Sequence, residues 1–184
     1  AGSGTGGDPY QYRVAGDRED RPVNYVSFWD AARFANWLHN GQGSGDTEGG
    51  AYINVGNQST FARQAGALLF LPTEDEWYKA AYYDGAADVY YDYSTGTNDT
   101  PSNDLVEPTD SGNNATFYIS GGDYTIGSPY WQTEVGAHEN SSSPYGTFDQ
   151  GGNVSEWNET FIPGLYSGSY RGLRGGSFRG KEGY

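Results

Sequence analysis

Apolar residues recur at helical spacing in an early stretch of the chain. The positions that share one face are Phe28, Ala31, Ala32, Ala35 and Leu38. Ser27 followed by Asp30 resembles a capping box, in which each residue satisfies a backbone amide of the other. Asn40 and Gly41 then supply a C-terminal stop. The pattern predicts a helix over residues 28–39.

A short apolar run at residues 68–71 predicts a buried strand that ends at Pro72. A second helix is predicted directly after it. Thr73 and Glu76 form another capping box. We expect this helix to turn Trp77, Ala80 and Ala81 inward and to end near Gly85.

The remaining stretches carry little periodicity. Residues 41–66 are rich in glycine and predict an ordered surface loop that could face a ligand or partner. Residues 82–136 predict loops with a few short strands. Residues 1–20 predict an extended arm, which leaves a single domain over residues 21–184.

One short loop concentrates oxygen ligands between flexible glycines. Asp149, Asn153 and Glu156 supply side-chain oxygens around Gly151 and Gly152. Ca²⁺ takes six to eight oxygens from carboxylates, amides and carbonyls, so this loop could wrap that cation. A glycine turn that enters a strand, with the following tryptophan in the core, explains the pattern equally well.

Four segments, in order, resemble the sulfatase-modifying-factor family, the formylglycine-generating-enzyme-like domains. They are RPVNYVSFWDA at 21–31, LPTEDEWYKAA at 71–81, GGNVSEW at 151–157 and RGGSF at 174–178. The resemblance implies an α+β, irregular C-type-lectin-like fold with a small twisted antiparallel sheet, two helices and long ordered loops. It also implies a closing C-terminal strand, which we do not find before Tyr184.

The resemblance bears on metal chemistry in two ways. Catalytic members bind copper through two cysteines after the RGGSW strand, and Gly180 falls near the first of these positions. Copper is therefore not expected, and no catalytic residue is assigned. A family calcium site maps to Gly152, the carbonyls of Asn153 and Val154, and the carboxylate of Glu156.

A second calcium site of the family maps less closely, to Thr116, Phe117 and Asp123. Thr116 stands where the family has asparagine. We therefore expect Ca²⁺ at the first site and include Asp123 as a further candidate ligand.

Composition limits the function classes. The formal net charge is −14, which disfavours binding to nucleic acid. The chain has no cysteine, so thiolate and disulfide chemistry are excluded for this polypeptide, and no apolar run is long enough for a membrane span. Only 35% of residues are hydrophobic but 16% are aromatic, so a few rings must carry the burial.

Several polar residues have structural or functional interpretations. His39 and His138 are expected to be structural or solvated, and Arg171 and Arg174 to bond carboxylates or carbonyls. Six asparagines lie in Asn-x-Ser/Thr sequons, which indicates glycosylation or a polar loop bias. They are Asn57, Asn98, Asn114, Asn140, Asn153 and Asn158.

These observations favour a secreted or cell-surface, calcium-binding module without catalysis, which binds a ligand or another extracellular protein or assembles with itself. The arm, through residues 10–14, could add a strand to an open sheet edge of another copy. One alternative is a fragment of an active formylglycine-generating oxidase that acts on sulfatase cysteines. Another is a lectin-like carbohydrate binder, which the abundant tyrosines would suit.

Overall fold

The computed structural model describes residues 15–105, 112–163 and 169–181, together with the backbone of two short strands at residues 2–3 and 11–12. Two helices, α1 (Phe28–His39) and α2 (Glu74–Tyr82), pack among antiparallel strand pairs. No helix of these residues is long and apolar enough to cross a membrane. The α+β class expected from the sequence is confirmed.

Ten strands form five separate two-stranded antiparallel pairs in the described chain. The longest pair joins β9 (Glu156–Pro163) to β10 (Ser169–Arg174), with a register shift between Arg171 and Leu173. The others are β1 (Gly2–Ser3) with β2 (Gln11–Tyr12), β3 (Tyr52–Ile53) with β4 (Ala62–Arg63), β5 (Tyr83–Asp84) with β6 (Val89–Tyr90), and β7 (Tyr118–Ile119) with β8 (Asp123–Tyr124).

Both helices begin as the sequence predicts. Ser27 with Asp30, and Thr73 with Glu76, form complete capping boxes. The first helix matches its predicted bounds, whereas α2 ends at Tyr82 rather than near Gly85, because Tyr83 adopts an extended backbone and starts β5. Trp77 and Ala81 are buried as predicted.

The buried strand predicted at residues 68–71 is wrong. The segment forms a bend, and Leu68 is 80% exposed. Its amides bond to side chains instead of a strand: Leu68 N–H donates to His39 Nδ1, and Leu71 N–H donates to the Tyr52 hydroxyl. The predicted surface loop at 41–66 also needs correction, because Tyr52 within it is fully buried.

The core is small and aromatic, as the composition predicts. The Tyr52 and Phe61 rings stack at 4.7 Å, and Phe28 meets the Phe61 and Trp157 rings edge-on at 5.3 and 6.0 Å. The guanidinium of Arg171 lies 4.7 Å from the Phe28 ring centroid and donates to the Glu159 carbonyl. Burial lowers the pKa of Arg171.

The N-terminal segment contacts the body of the domain. Arg18 donates to the carbonyl of Pro129, Arg21 donates to that of Gln132, and Val135 N–H donates to the Asp20 carbonyl. Within the predicted arm, β2 pairs with β1 of the same chain. Residues 10, 13 and 14 of the segment proposed for strand exchange lie outside the described residues, and exchange stays a prediction.

The backbone of Thr116 runs against Gly152 and forms a bridge with it. A Cβ at Gly152 would lie 2.1 Å from the Thr116 carbonyl oxygen, and Gly152 has φ +87°. Gly146 also has a positive φ, +76°, but a Cβ there would meet nothing within 4 Å. Alanine substitutions at the two positions therefore separate the cost of a positive φ from the cost of steric overlap.

We expect Gly152→Ala to lower the free energy of unfolding by about 3 kcal/mol or more, because left-handed strain adds to overpacking against backbone. Gly146→Ala should cost about 1–2 kcal/mol from strain alone. Urea denaturation of both variants measures the difference. Equal losses would show that Thr116 can move away from residue 152.

Candidate functional site

A cleft of about 480 Å³ opens between the loop that precedes β9 and the loop that follows β10. Its floor carries glycines from both loops: Gly151, Gly152, Gly175, Gly176 and Gly180. Residues 92–101 contribute hydroxyl, amide and carboxylate groups to the opposite wall. We call this recess the glycine-lined cleft.

The glycines are required by close packing of the two loops. Gly152 N–H donates to the Gly175 carbonyl, which joins the loops directly. A Cβ at Gly175 would lie 2.8 Å from the carbonyl oxygen of Gln150, and one at Gly151 would overlap the hydroxyl of Ser94. The cleft floor therefore consists mainly of backbone, which leaves room for a ligand.

The cleft wall carries charges of both signs. Asp92 lies on one side, and Arg174 and Lys181 line the other. Arg174 is ion-paired with Glu74 at the start of α2, and Glu74 also accepts a hydrogen bond from Asn158 Nδ2 at 2.7 Å. Ion pairs among the described residues do not include Lys181 or Asp92.

Gly180 lies in this cleft, near the position at which the family resemblance places a copper-binding cysteine. Its N–H donates to the Ser177 carbonyl at 2.7 Å, and its own carbonyl accepts from Tyr118 N–H at 2.9 Å. These bonds hold a tight turn after residues 174–178. The glycine thus occupies a fixed backbone position in the cleft wall.

The predicted calcium loop is tightly held under the cleft. Asn153 N–H donates to the Thr116 carbonyl at 2.8 Å, and the Asn153 carbonyl accepts from Phe178 N–H at 2.9 Å. The Asn153 side chain is 1% exposed, and its Oδ1 atom has no hydrogen-bond partner. A buried amide oxygen without a donor is costly, and a cation would satisfy it.

Glu156 is the half-buried carboxylate of this loop. Its Oε2 accepts a hydrogen bond of 2.5 Å from Trp77 Nε1 on α2. Burial raises the pKa of Glu156, a shift that the indole bond partly opposes. Because none of the ion pairs among described residues contains Glu156, its charge lacks a protein cation.

The predicted metal ligands are all oxygen donors, which suits a hard cation such as Ca²⁺. Thr116 adjoins Gly152 and Asn153, so the structure connects part of the second predicted site to the first. Asp123 is exposed on β8, and its carbonyl accepts from Asn103 Nδ2 at 3.1 Å. In the part of the chain that the structure describes, no three His, Cys, Asp or Glu side chains are grouped so that they could hold a metal ion.

The loop would therefore hold Ca²⁺ mainly through carbonyl and amide oxygens, with Glu156 as the nearest carboxylate in sequence. The Val154 carbonyl completes the predicted set, and no described backbone N–H donates to it. The fit rests on ligand chemistry: one half-buried carboxylate, Glu156, and one buried amide oxygen without a hydrogen-bond partner, Asn153 Oδ1, lie in a single loop.

The two histidines lie outside the cleft lining. His39 accepts from Leu68 N–H at the end of α1, and the buried His138 lies 3.1 Å from the Thr116 hydroxyl through Nε2. The Thr116 and Thr133 hydroxyls are 2.7 Å apart in the same buried layer. Both histidines have structural contacts, as expected, although His138 is buried rather than solvated.

Half of the sequon asparagines are buried. Asn114, Asn153 and Asn158 are 3%, 1% and 0% exposed. A glycan on any of these three side chains is incompatible with the folded domain. Polar loop chemistry therefore explains at least these sequons.

Sequence reasoning missed the second wall of the cleft, which residues 92–101 form. The sequence offers little indication of this wall, because residues 92–101 carry no motif and meet the glycine loops only through tertiary contacts. Arg174 was expected to bond a carboxylate or a carbonyl, and it pairs with Glu74, a partner that the sequence did not indicate. Both residues lie within family motifs, at 71–81 and 174–178.

A family model for the sulfatase-modifying factor enzyme 1-like domain matches residues 6–183. The chain belongs to this family. Similar curated proteins are the hercynine oxygenases of Mycobacterium tuberculosis, 30% identical over 174 residues, and Mycolicibacterium smegmatis, 28% identical over 178 residues. These alignments cover 86% of this chain but only 30% and 31% of the relatives, so the chain spans about a third of their length.

The crystal structure of CarF is similar, with a TM-score of 0.53 and 21% sequence identity. The superposition covers 89% of this chain and 57% of that chain. This likeness supports the fold of the sulfatase-modifying factor family domain described above.

The partly desolvated carboxyl of Glu156 predicts a pH dependence of stability in the absence of calcium. A raised pKa means that the folded state retains the Glu156 proton at a pH where the unfolded chain releases it. The free energy of unfolding should therefore fall as pH rises from the ordinary carboxyl range, near 4.5, through the folded pKa. Glu156→Gln should remove this component.

The measurement is urea denaturation across this pH range in a chelator, with the exposed Glu139→Gln as the matched control. The control should keep the pH dependence of the parent. An unchanged pH profile in Glu156→Gln would contradict the assignment.

Proposed function

We propose that this domain is a non-catalytic, calcium-binding extracellular module that binds a ligand in the glycine-lined cleft. The observation that carries the proposal is a cleft with a backbone floor and an accessible polar wall. In the family resemblance, the copper-binding cysteine belongs at this cleft, and this chain has Gly180 there. The polypeptide contains no cysteine.

The charges of the cleft favour a small zwitterionic ligand, such as an amino acid or its betaine. Lys181 offers an ammonium without an ion pair to a described carboxylate, and Asp92 offers a carboxylate on the other wall. A zwitterion would complement both groups. Hercynine, which the names of the curated relatives contain, is the first compound to test.

A second candidate function is supported by the same relatives. They are named as oxygenases, and this chain corresponds to about a third of each. The chain would then contribute the substrate-binding wall of an enzyme whose reactive centre includes other residues. An oxidase acting on sulfatase cysteines is the less supported form of this alternative, because neither relative is named for it.

Calorimetric titration of the polypeptide with hercynine and with free histidine tests the cleft. We expect binding that Asp92→Asn and Lys181→Gln each weaken by about fivefold, the effect of an exposed charge pair of about 1 kcal/mol. Lys79→Gln is the matched control, because Lys79 is an exposed cation outside the cleft lining and stacks on Tyr83.

The same samples distinguish binding from catalysis. Oxygen uptake and the mass of hercynine should stay unchanged over hours with the isolated polypeptide. Turnover above a metal-only control would favour the oxygenase function. Affinity that is identical in the parent and both cleft variants would remove the cleft from the proposal.

Calcium should stabilise the domain through the loop at residues 152–156. The sites of extracellular modules bind Ca²⁺ with dissociation constants of about 10⁻⁴–10⁻³ M, which suits a site built largely from carbonyls. At 100-fold excess over the dissociation constant, binding contributes about 2.7 kcal/mol to the free energy of unfolding. Thermal melts with Ca²⁺ and with chelator measure this gain.

Glu156→Gln should abolish most of the calcium-dependent rise in melting temperature, whereas Glu139→Gln should keep it. A parent melting curve that does not move between Ca²⁺ and chelator would refute the structural calcium. Removal of Asp123 by Asp123→Asn decides whether that exposed carboxylate belongs to the same site.

A further inference from the structure

A second recess, of about 790 Å³, lies apart from the glycine floor, against the outer face of α1. Its walls include Phe34 and Leu38 of that helix, Leu69 and Phe70 of the following bend, and Leu173 of β10. We call it the apolar groove. Its volume lies within the range of about 300–1,000 Å³ that is typical of small-molecule sites.

The walls expose large apolar side chains to solvent. Phe34 is 57% exposed, Leu69 is 47% and Leu173 is 49%. Contiguous apolar surface of this kind is uncommon on a monomer and marks binding sites. The four-residue run at 68–71, wrongly predicted as a buried strand, thus contributes to a surface that an apolar ligand would cover.

Among the described residues that line the groove, Arg179 is the one that carries a charge. Its guanidinium lies 5.6 Å from the Phe178 ring centroid, and none of the ion pairs among described residues includes it. This guanidinium is exposed to solvent at the groove. It would complement an anionic group at the end of an apolar ligand.

The mouth of the groove holds an exposed aromatic residue in a strained conformation. Tyr25 is 99% exposed and has φ 59°, a left-handed backbone that is unfavourable for a bulky side chain. Trp157 Nε1 donates to the Val26 carbonyl at 2.9 Å and anchors the adjacent backbone. Strain that persists at the rim of a recess is typical of ligand sites.

We propose that the apolar groove binds a small amphiphile with an extended apolar body and one carboxylate. The body lies along Phe34, Leu38, Leu69 and Phe70, and the carboxylate pairs with Arg179. This site is separate from the glycine-lined cleft and does not depend on its ligand. The two recesses share only Leu173 and Ser177 in their linings.

Three probes with the same twelve-carbon chain test the proposal: dodecanoate, dodecanol and dodecyltrimethylammonium, all below their micelle or solubility limits. Titration calorimetry, with quenching of tryptophan emission as a second readout, measures binding to the whole chain. We expect dodecanoate to bind about fivefold more tightly than dodecanol, since an exposed charge pair adds up to about 1 kcal/mol. The cationic probe should bind most weakly.

Two variants identify the groove. Arg179→Gln should reduce dodecanoate affinity to that of dodecanol and leave dodecanol affinity unchanged. Ala31→Phe, which adds a ring to the groove wall, should weaken both probes. Lys79→Gln makes the same charge change outside the groove and should alter neither affinity. Melting curves confirm that each variant is folded.

Equal affinity for all three probes, or an Arg179→Gln variant that binds dodecanoate like the parent, would overturn the carboxylate assignment. Absence of binding by every probe would overturn the ligand site as a whole. Sedimentation run in parallel tests whether a second copy of the chain occupies the groove. Self-association that Ala31→Phe abolishes, without binding of any probe, would assign the groove to that second copy and would also refute the proposal.

Discussion

The close approach of Thr116 to Gly152 is the contact on which the rest of the domain depends. It brings a loop from the middle of the chain against the loop before β9. The Gly175 carbonyl, just after β10, accepts a hydrogen bond from the Gly152 amide and so joins the end of β10 to the same contact. The strand pairs of this domain are mostly two residues long, so they contribute little independent stability. Contacts between the backbones of the glycine-containing loops therefore stabilise this domain, as a continuous sheet does in other folds.

This arrangement places two different recesses on one short segment. Residues 173–177 form a wall of the glycine-lined cleft, and two of them, Leu173 and Ser177, also line the apolar groove. Glu74 fixes Arg174 from the start of α2, and the Ser155 hydroxyl donates to the Gly176 carbonyl at 2.6 Å. The segment is therefore anchored from two sides.

Local sequence signals predicted the local structure well. The capping boxes at Ser27 and Thr73 specify both helix starts because their hydrogen bonds join residues three positions apart. The prediction of a buried strand at 68–71 was wrong because hydrophobicity alone does not show whether a side chain packs in the core or lines a surface groove. The Leu71 amide donates to the hydroxyl of Tyr52, 19 residues away, instead of to a neighbouring strand.

The candidate site was predicted less completely. The family resemblance drew attention to Gly152, Asn153 and Gly180, which lie in or beneath the cleft, but it did not predict the cleft, and their part in Ca²⁺ binding stays a prediction. The opposite wall at residues 92–101 was not predictable, because it is brought there by tertiary packing without a motif of its own. The burial of Glu156 against Trp77 likewise depends on two segments 79 residues apart.

The buried sequon asparagines have a consequence for how the chain acquires its structure. In a secretory pathway that modifies sequons, glycans are added to the chain before folding is complete. Asn153 packs under the cleft and Asn158, fully buried, bonds to the start of α2. A sugar attached early to either side chain would trap the polypeptide outside its native state. Production of this domain in a host that glycosylates sequons during translocation would therefore lower its folding yield.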